Sequence, residues 1–301
     1  MLKKRLLKPA LLKGFTGGGE EMRKKEEIKK VVKQGYARIA KQKGSCCGPV
    51  QSCCRNFDIV RDISKKIGYT EEELTVVPEG ANLGLGCGNP VALASLKEGE
   101  VVVDLGSGAG FDCFLAAQKV GKKGKVIGVD MTPEMIEKAR ENAKKGKYEN
   151  VEFRLGEIEN LPVADNSCDI VISNCVINLS PDKRRVFAEA FRVLKPGGRL
   201  MISDIVLLKN LPDFIKNSIE AYIGCLSGAI MKDEYIRIIK EAGFQDVKII
   251  DETHFPIECM DNDLTAKAVM EHMKISPEKI SEIANMVISI RVFGVKPEEP
   301  S

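Results

Sequence analysis

Val101-Val102-Val103-Asp104-Leu105-Gly106-Ser107-Gly108-Ala109-Gly110 is a β-branched apolar run that meets an acidic residue and then carries glycine at every second position. Three consecutive valines favour a strand buried on both faces. Gly106, Gly108 and Gly110 let the following backbone turn tightly and approach a ligand without Cβ clashes. Phe111 to Val120 then reads as a helix. A glycine loop feeding a helix N-terminus suits a nucleotide-type ligand, because unpaired N–H groups and the positive end of the dipole face it.

The spacing narrows the ligand. A dinucleotide fingerprint runs G-x-G-x-x-G, whereas here the glycines run G-x-G-x-G with Asp104 two residues ahead of the first. This variant resembles the cofactor loop of class I S-adenosylmethionine (SAM) methyltransferases. Lys125 to Asp130 reads as a second strand ending in a carboxylate, where a doubly wound fold bonds ribose hydroxyls. A plain βαβ turn explains the glycine loop alone, but two acidic strand ends favour the cofactor. The pocket is assigned Asp104, Gly106, Ser107, Gly108, Gly110, Asp130, Met131 and Asn174. Glu157 and Ile158, after a third strand at Asn150 to Leu155, are placed beside the adenine as acceptor and apolar lid.

The rest of the chain continues the alternation. Cys168 to Leu179 supplies a fourth strand, Pro181 to Leu194 a helix, Lys195-Pro196-Gly197-Gly198 a turn and Arg199 to Asp204 a fifth strand. Lys232 to Ala242 reads as a helix, Gly243 turns into a strand through Asp251, and Val287 to Val295 is the last strand. Upstream, Glu20 to Lys43 is a charged helix with Ile28, Val31, Val32, Tyr36 and Ile39 on one face. The expected fold is α/β: a doubly wound, mostly parallel Rossmann-like sheet with an N-terminal helical, cysteine-rich extension and a C-terminal α+β addition. Expected boundaries are 1–43 for the tail and helix, 44–80 for the cysteine-rich segment, 81–205 for the cofactor core and 206–301 for the part completing the substrate site.

The 301 residues, 44% hydrophobic, suffice for such a core with appendages. A net charge of +3, from 46 basic and 43 acidic residues, argues against nucleic acid and anionic membranes as partners. Lysines and Pro9 interrupt the apolar residues of the N-terminus before a secretory segment forms. The expectation is a cytoplasmic protein.

Ten cysteines in a cytoplasmic chain point to metal or redox chemistry rather than structural disulfides. Cys46-Cys47 and Cys53-Cys54 are vicinal pairs in a turn-rich segment with no second half for a zinc ribbon. Such thiols suit a soft, thiophilic acceptor or a redox relay, unless they are incidental to a mobile segment. Cys87 and Cys225 lie among glycines and other small residues, and Cys175 sits just beyond a strand's carboxyl end, where open α/β sheets bind ligands. Cys113 reads as a buried small hydrophobe. Cys168, Cys259 and the two histidines, His254 and His272, are assigned no role.

From about Gly84 to Phe255 the chain resembles arsenite SAM methyltransferases, through Leu85-Gly86-Cys87-Gly88, Asp104 to Gly110, Ser173-Asn174-Cys175-Val176-Ile177-Asn178-Leu179 and Gly224-Cys225-Leu226-Ser227-Gly228. The resemblance implies that Cys175 and Cys225 hold trivalent arsenic and that Cys87 joins them. It also implies a role in coordination or disulfide formation for an N-terminal cysteine, for which this chain offers Cys46, Cys47, Cys53 and Cys54. The implied cofactor is SAM, the substrate arsenite or its thiol conjugate, and the reductant thioredoxin or glutathione. Thiolate-bound arsenic(III) keeps a lone pair and attacks the methyl group without a base, consistent with a chain holding only two histidines. The rival readings are a C- or O-methyltransferase of the quinone-pathway type and a non-catalytic metalloid sensor.

Overall fold

The computed structural model describes residues 18–41, 53–216, 218, 221–222, 224–254 and 277–298. Seven strands form one sheet in the order β3-β2-β1-β4-β5-β7-β6. β1 (Val101–Leu105), β2 (Lys125–Asp130), β3 (Val151–Leu155), β4 (Cys168–Asn174) and β5 (Leu194–Leu207) run parallel. β7 (Val287–Val295) inserts antiparallel between β5 and β6 (Gln245–His254).

The valine run explains the centre of the sheet. Val102 and Val103 are fully buried and belong to opposite faces, as period-2 side chains must. Val103 joins Leu105, Ile127 and Val129 under α7 (Lys183–Val193) and the helix Lys232–Glu241. Val102 joins Val126, Ile170 and Ile172 under α5 (Phe111–Val120) and α6 (Pro133–Gly146). The chain steps outward from β1 through β2 to β3 and then returns to lay β4 on the other side. The loops after β1 and β4 therefore diverge and leave a crevice between them.

α5, β2 and β7 have the ends read from the sequence; several other boundaries differ for local reasons. β4 stops at Asn174 because Cys175 takes φ +59, which extended backbone does not allow, and Ile177–Leu179 forms a 3-10 turn. α7 starts at Lys183, where the Asp182 side chain accepts Arg185 N–H as its N-cap. β6 continues to His254, three residues past the expected end. α1 (Gly18–Lys41) buries Val32 and half-buries Ile28 and Tyr36. α2 (Cys53–Lys66), α3 (Glu71–Val76, closed by a capping box of Thr70 and Glu73) and α4 (Pro90–Leu93) lead into the sheet. Among the described residues, no helix is long and apolar enough to cross a membrane.

Candidate active site

The crevice beside β1 is a pocket lined by Asp104, Gly106, Ser107, Gly108, Asp130, Met131, Ile158, Asn174 and Cys175. The three loop glycines have different physical reasons. A Cβ on Gly106 would lie 2.3 Å from Val176, and one on Gly110, the N-cap of α5, would lie 2.7 Å from Phe153. Those two permit packing, and Gly110 does not line the pocket. Gly108, at φ +52, faces open space with nothing within 4 Å. Its N–H donates to Asp130 Oδ2 at 3.0 Å, and Thr132 N–H donates to Oδ1 at 2.8 Å. Ser107 Oγ is buried without a hydrogen-bond partner among the described residues. An open backbone cradle, an orphaned hydroxyl and two carboxylates at strand ends fit a nucleoside with a ribose.

Asp104 is buried and accepts a hydrogen bond from the Cys113 thiol at 3.1 Å. Burial, then the charge of Asp112, pushes its carboxyl well above the usual range. Asp112 itself, pushed up to about 6 by burial, accepts Tyr69 Oη at 2.6 Å and Asn174 Nδ2 at 3.0 Å. Neither Tyr69 nor Asp112 belongs to a motif read from the sequence, and Cys113, expected to be inert packing, bonds a pocket carboxylate.

Glu157 does not line the pocket. Its Oε2 accepts Lys29 Nζ of α1 at 2.7 Å, and Glu159 lines the pocket instead, accepting Ser180 Oγ at 2.7 Å. Lys29, Val32 and Tyr36 thus give the pocket a wall from α1, which the sequence showed only as an amphipathic face.

The thiols assemble from three loops. The Asn174 side chain spans Cys87: its Oδ1 accepts Cys87 N–H at 3.0 Å and its Nδ2 donates to Gly88 O at 2.8 Å. The glycines around Cys87 make this approach possible, since a Cβ on Gly86 would lie 2.7 Å from Asn174 Nδ2 and one on Gly88 1.9 Å from Ser203 Oγ. Cys175, left-handed at φ +59, turns out of β4, and Cys225, left-handed at φ +63, donates from Sγ to Cys175 O at 2.8 Å. Two non-glycine residues held at positive φ are strained backbone, which clusters at binding sites. Gly228 is required nearby, because its Cβ would lie 2.0 Å from Asn178 O.

Cys87, Cys175 and Cys225 are buried free thiols in one apolar cluster. The adjacent Cys225 and Cys87 thiols, followed by burial, push the Cys175 thiol well above its usual range. Below them, the Asp204 carboxylate accepts Tyr235 Oη, Asn178 Nδ2 and Ile205 N–H, each at 2.9 Å. Burial raises Asp204 to about 6. Lys183, lowered to about 8 by burial, bonds Ser180 O at 3.2 Å and Asn178 O at 3.4 Å.

Cys46 and Cys47 lie outside the described residues, as do Cys259 and His272; Cys53 and Cys54 open α2, with their side chains also outside. Cys168 is buried against Val193 O, and His254 is exposed at the end of β6.

Residues 96–243 match the model of a methyltransferase domain family. An arsenite methyltransferase of Halobacterium salinarum is 52% identical over 231 residues, covering 74% of this chain and 59% of that protein. The arsenite methyltransferase of Homo sapiens is 36% identical, over 74% of this chain and 60% of its own length. The chain thus spans about three-fifths of these curated relatives. An arsenic(III) S-adenosylmethionine methyltransferase of known structure, from Chlamydomonas reinhardtii, is 33% identical with a TM-score of 0.56, covering 81% of this chain and 74% of that one. With a class I methyltransferase sheet, a cofactor crevice and the cysteine motifs at its mouth, the chain belongs to the arsenic(III) S-adenosylmethionine methyltransferase family.

Proposed function

We propose that this chain transfers methyl groups to arsenic(III) held by Cys87, Cys175 and Cys225. The observation that carries the reading is the meeting of three buried thiols at the wall of the glycine-loop pocket, with Cys175 belonging to both. Arsenite, or its thiol conjugate, exchanges its oxygen or thiol ligands for the three cysteine sulfurs. For arsenite, three thiol protons leave with three hydroxyl groups as water. The arsenic keeps its lone pair, so no side chain has to remove a proton.

Asp130 suits the ribose hydroxyls, the Gly106-Ser107-Gly108 turn and Asp104 suit the aminoacyl and sulfonium end, and Met131 and Ile158 suit the adenine. Asn174 fixes the thiol loop against this pocket. When bound, SAM supplies an electrophilic methyl group and leaves as S-adenosylhomocysteine. The chain's own contribution is positioning, which in well-oriented systems supplies up to ~7–11 kcal/mol of the barrier.

Return of methylated arsenic to the trivalent state takes two electrons. A bridge between Cys87 and one of Cys46, Cys47, Cys53 or Cys54 supplies them, and thioredoxin or glutathione in a cytoplasmic setting reopens it by thiol–disulfide exchange. The division at 43, 80 and 205 belongs to the same reading, with the relay in the second segment. Incubation of purified protein with SAM, a thiol reductant and arsenite is expected to yield methylarsenicals. Yield no higher than in the enzyme-free control contradicts the proposal.

A further inference from the structure

The thiol cluster has a fourth wall that arsenic(III) does not need. The sulfurs of Cys87 and Cys175 and a carboxylate oxygen of Asp204 all lie within 4.8 Å of one another. All three residues are buried, and Cys225 Sγ adjoins Cys175. A trivalent arsenic centre takes three sulfurs in a pyramid and points its lone pair away from them. A closed-shell divalent cation has no such lone pair and closes a tetrahedron, with bonds of ~2.3 Å to sulfur and ~2.0–2.2 Å to oxygen. Cys87, Cys175 and Asp204 stand close enough together to close on one ion, and Cys225 Sγ, which donates to Cys175 O, has to turn from that carbonyl to complete the tetrahedron.

Asp204 is held as a ligating carboxylate is held. Tyr235 Oη orients Oδ2, while Asn178 Nδ2 and Ile205 N–H orient Oδ1. A carboxylate accepts about four hydrogen bonds, so a lone pair remains for a cation, and the partners fix its direction. The nearby Lys183 ammonium bonds the carbonyls of Asn178 and Ser180 and leaves the carboxylate uncapped. Soft thiolates select the cation: zinc or cadmium rather than magnesium or calcium.

We infer that Cys87, Cys175, Cys225 and Asp204 form a three-sulfur, one-oxygen site for a thiophilic divalent cation, which excludes arsenic(III) while bound. The inference rests on the reading of these thiols as the soft-acceptor site. Binding replaces thiol protons, which pass to solvent, and involves no electron transfer. Zinc or cadmium therefore acts as an inhibitor competitive with arsenite, and the oxygen ligand distinguishes the two occupants.

The test uses the full chain with Cys46, Cys47, Cys53, Cys54 and Cys259 replaced by serine, which leaves outside the cluster only the buried thiols of Cys113 and Cys168. Cd²⁺ is titrated against a chromophoric chelator, with cadmium–thiolate absorption as the second readout. One equivalent is expected, displaced by arsenite. Asp204→Asn, nearly isosteric and able to keep its bonds to Ile205 and Tyr235, should weaken Cd²⁺ at least ~10-fold while changing arsenite affinity less than about twofold. Independent of any Asp204 variant, X-ray absorption of the zinc-loaded protein should show three sulfurs and one oxygen. Unchanged Cd²⁺ affinity in Asp204→Asn, no stoichiometric cation, or a zinc shell lacking oxygen would overturn the inference. Failure of arsenite itself to bind would instead overturn the function proposed above.

Discussion

Asn174 Oδ1 accepts the backbone N–H of Cys87 at 3.0 Å, across 87 positions of sequence. The same carboxamide donates to Gly88 O, Tyr69 Oη and Asp112 Oδ2. One side chain at the end of β4 thus ties the thiol loop to the start of α5, the helix that begins where the cofactor loop ends.

Asn174→Ala orphans several buried groups at once. The cost of leaving them unpaired should lower stability by about 2–4 kcal/mol, measured by urea unfolding. SAM affinity and arsenite affinity should fall together, because both surfaces hang on this residue. A loss confined to one ligand, read by calorimetry, would contradict the coupling.

Gly88→Ala should be worse tolerated than an ordinary loop substitution, since its Cβ falls 1.9 Å from Ser203 Oγ. Overpacking of this kind costs about 1–3 kcal/mol and displaces Cys87. Ser203→Ala in the same chain should recover part of the melting temperature. Gly108→Ala meets no atoms but is strained at φ +52 and should weaken SAM binding with a smaller effect on melting.

Asp112 makes stability depend on pH with a definite sign. Its carboxyl titrates near 6 in the folded chain and near about 4 when unfolded. The folded state therefore binds the proton more tightly, and this contribution to stability falls as pH rises from about 4 to 6, then levels off. Asp112→Asn lacks that loss. Its stability relative to wild type should rise by about 2–3 kcal/mol between pH 4 and 7, measured by chemical unfolding across that range. A difference that is flat or falls with pH would contradict the assignment.

The glycine loop and its strand were legible because their causes are local: β-branched burial in Val101 to Val103 and backbone freedom at Gly106 to Gly110. The cysteine motifs were legible as motifs, but not the left-handed turns that aim Cys175 and Cys225, since φ is set by tertiary contacts such as the thiol-to-carbonyl bond between them. The turn at Cys175 is also why the strand that the sequence suggests over Cys168 to Leu179 stops five residues earlier, at Asn174. Tyr69, Asp112 and Asp204 were not legible as partners at all. Their bonds join residues 31 to 105 positions apart, and no spacing rule reaches across a doubly wound sheet. Glu157 shows the converse, a correctly placed loop carboxylate claimed by Lys29 from a helix 128 positions upstream.

Cofactor and arsenic sites should separate by mutation. Asp130→Ala removes the acceptor of Gly108 N–H and Thr132 N–H and should cut SAM affinity more than tenfold while arsenite binding stands. Cys225→Ser should do the reverse, because a hydroxyl is a poor ligand for a soft centre. Calorimetry with each ligand alone reads both, and a loss of SAM affinity in Cys225→Ser would contradict the separation.

The most direct measurement is a crystal of the reduced protein soaked with arsenite and examined by anomalous scattering at the arsenic edge. The account predicts one strong peak within bonding distance of Cys87, Cys175 and Cys225, above the glycine-loop pocket. A peak held only by other cysteines, or no peak at the cluster at saturating arsenite, would contradict it.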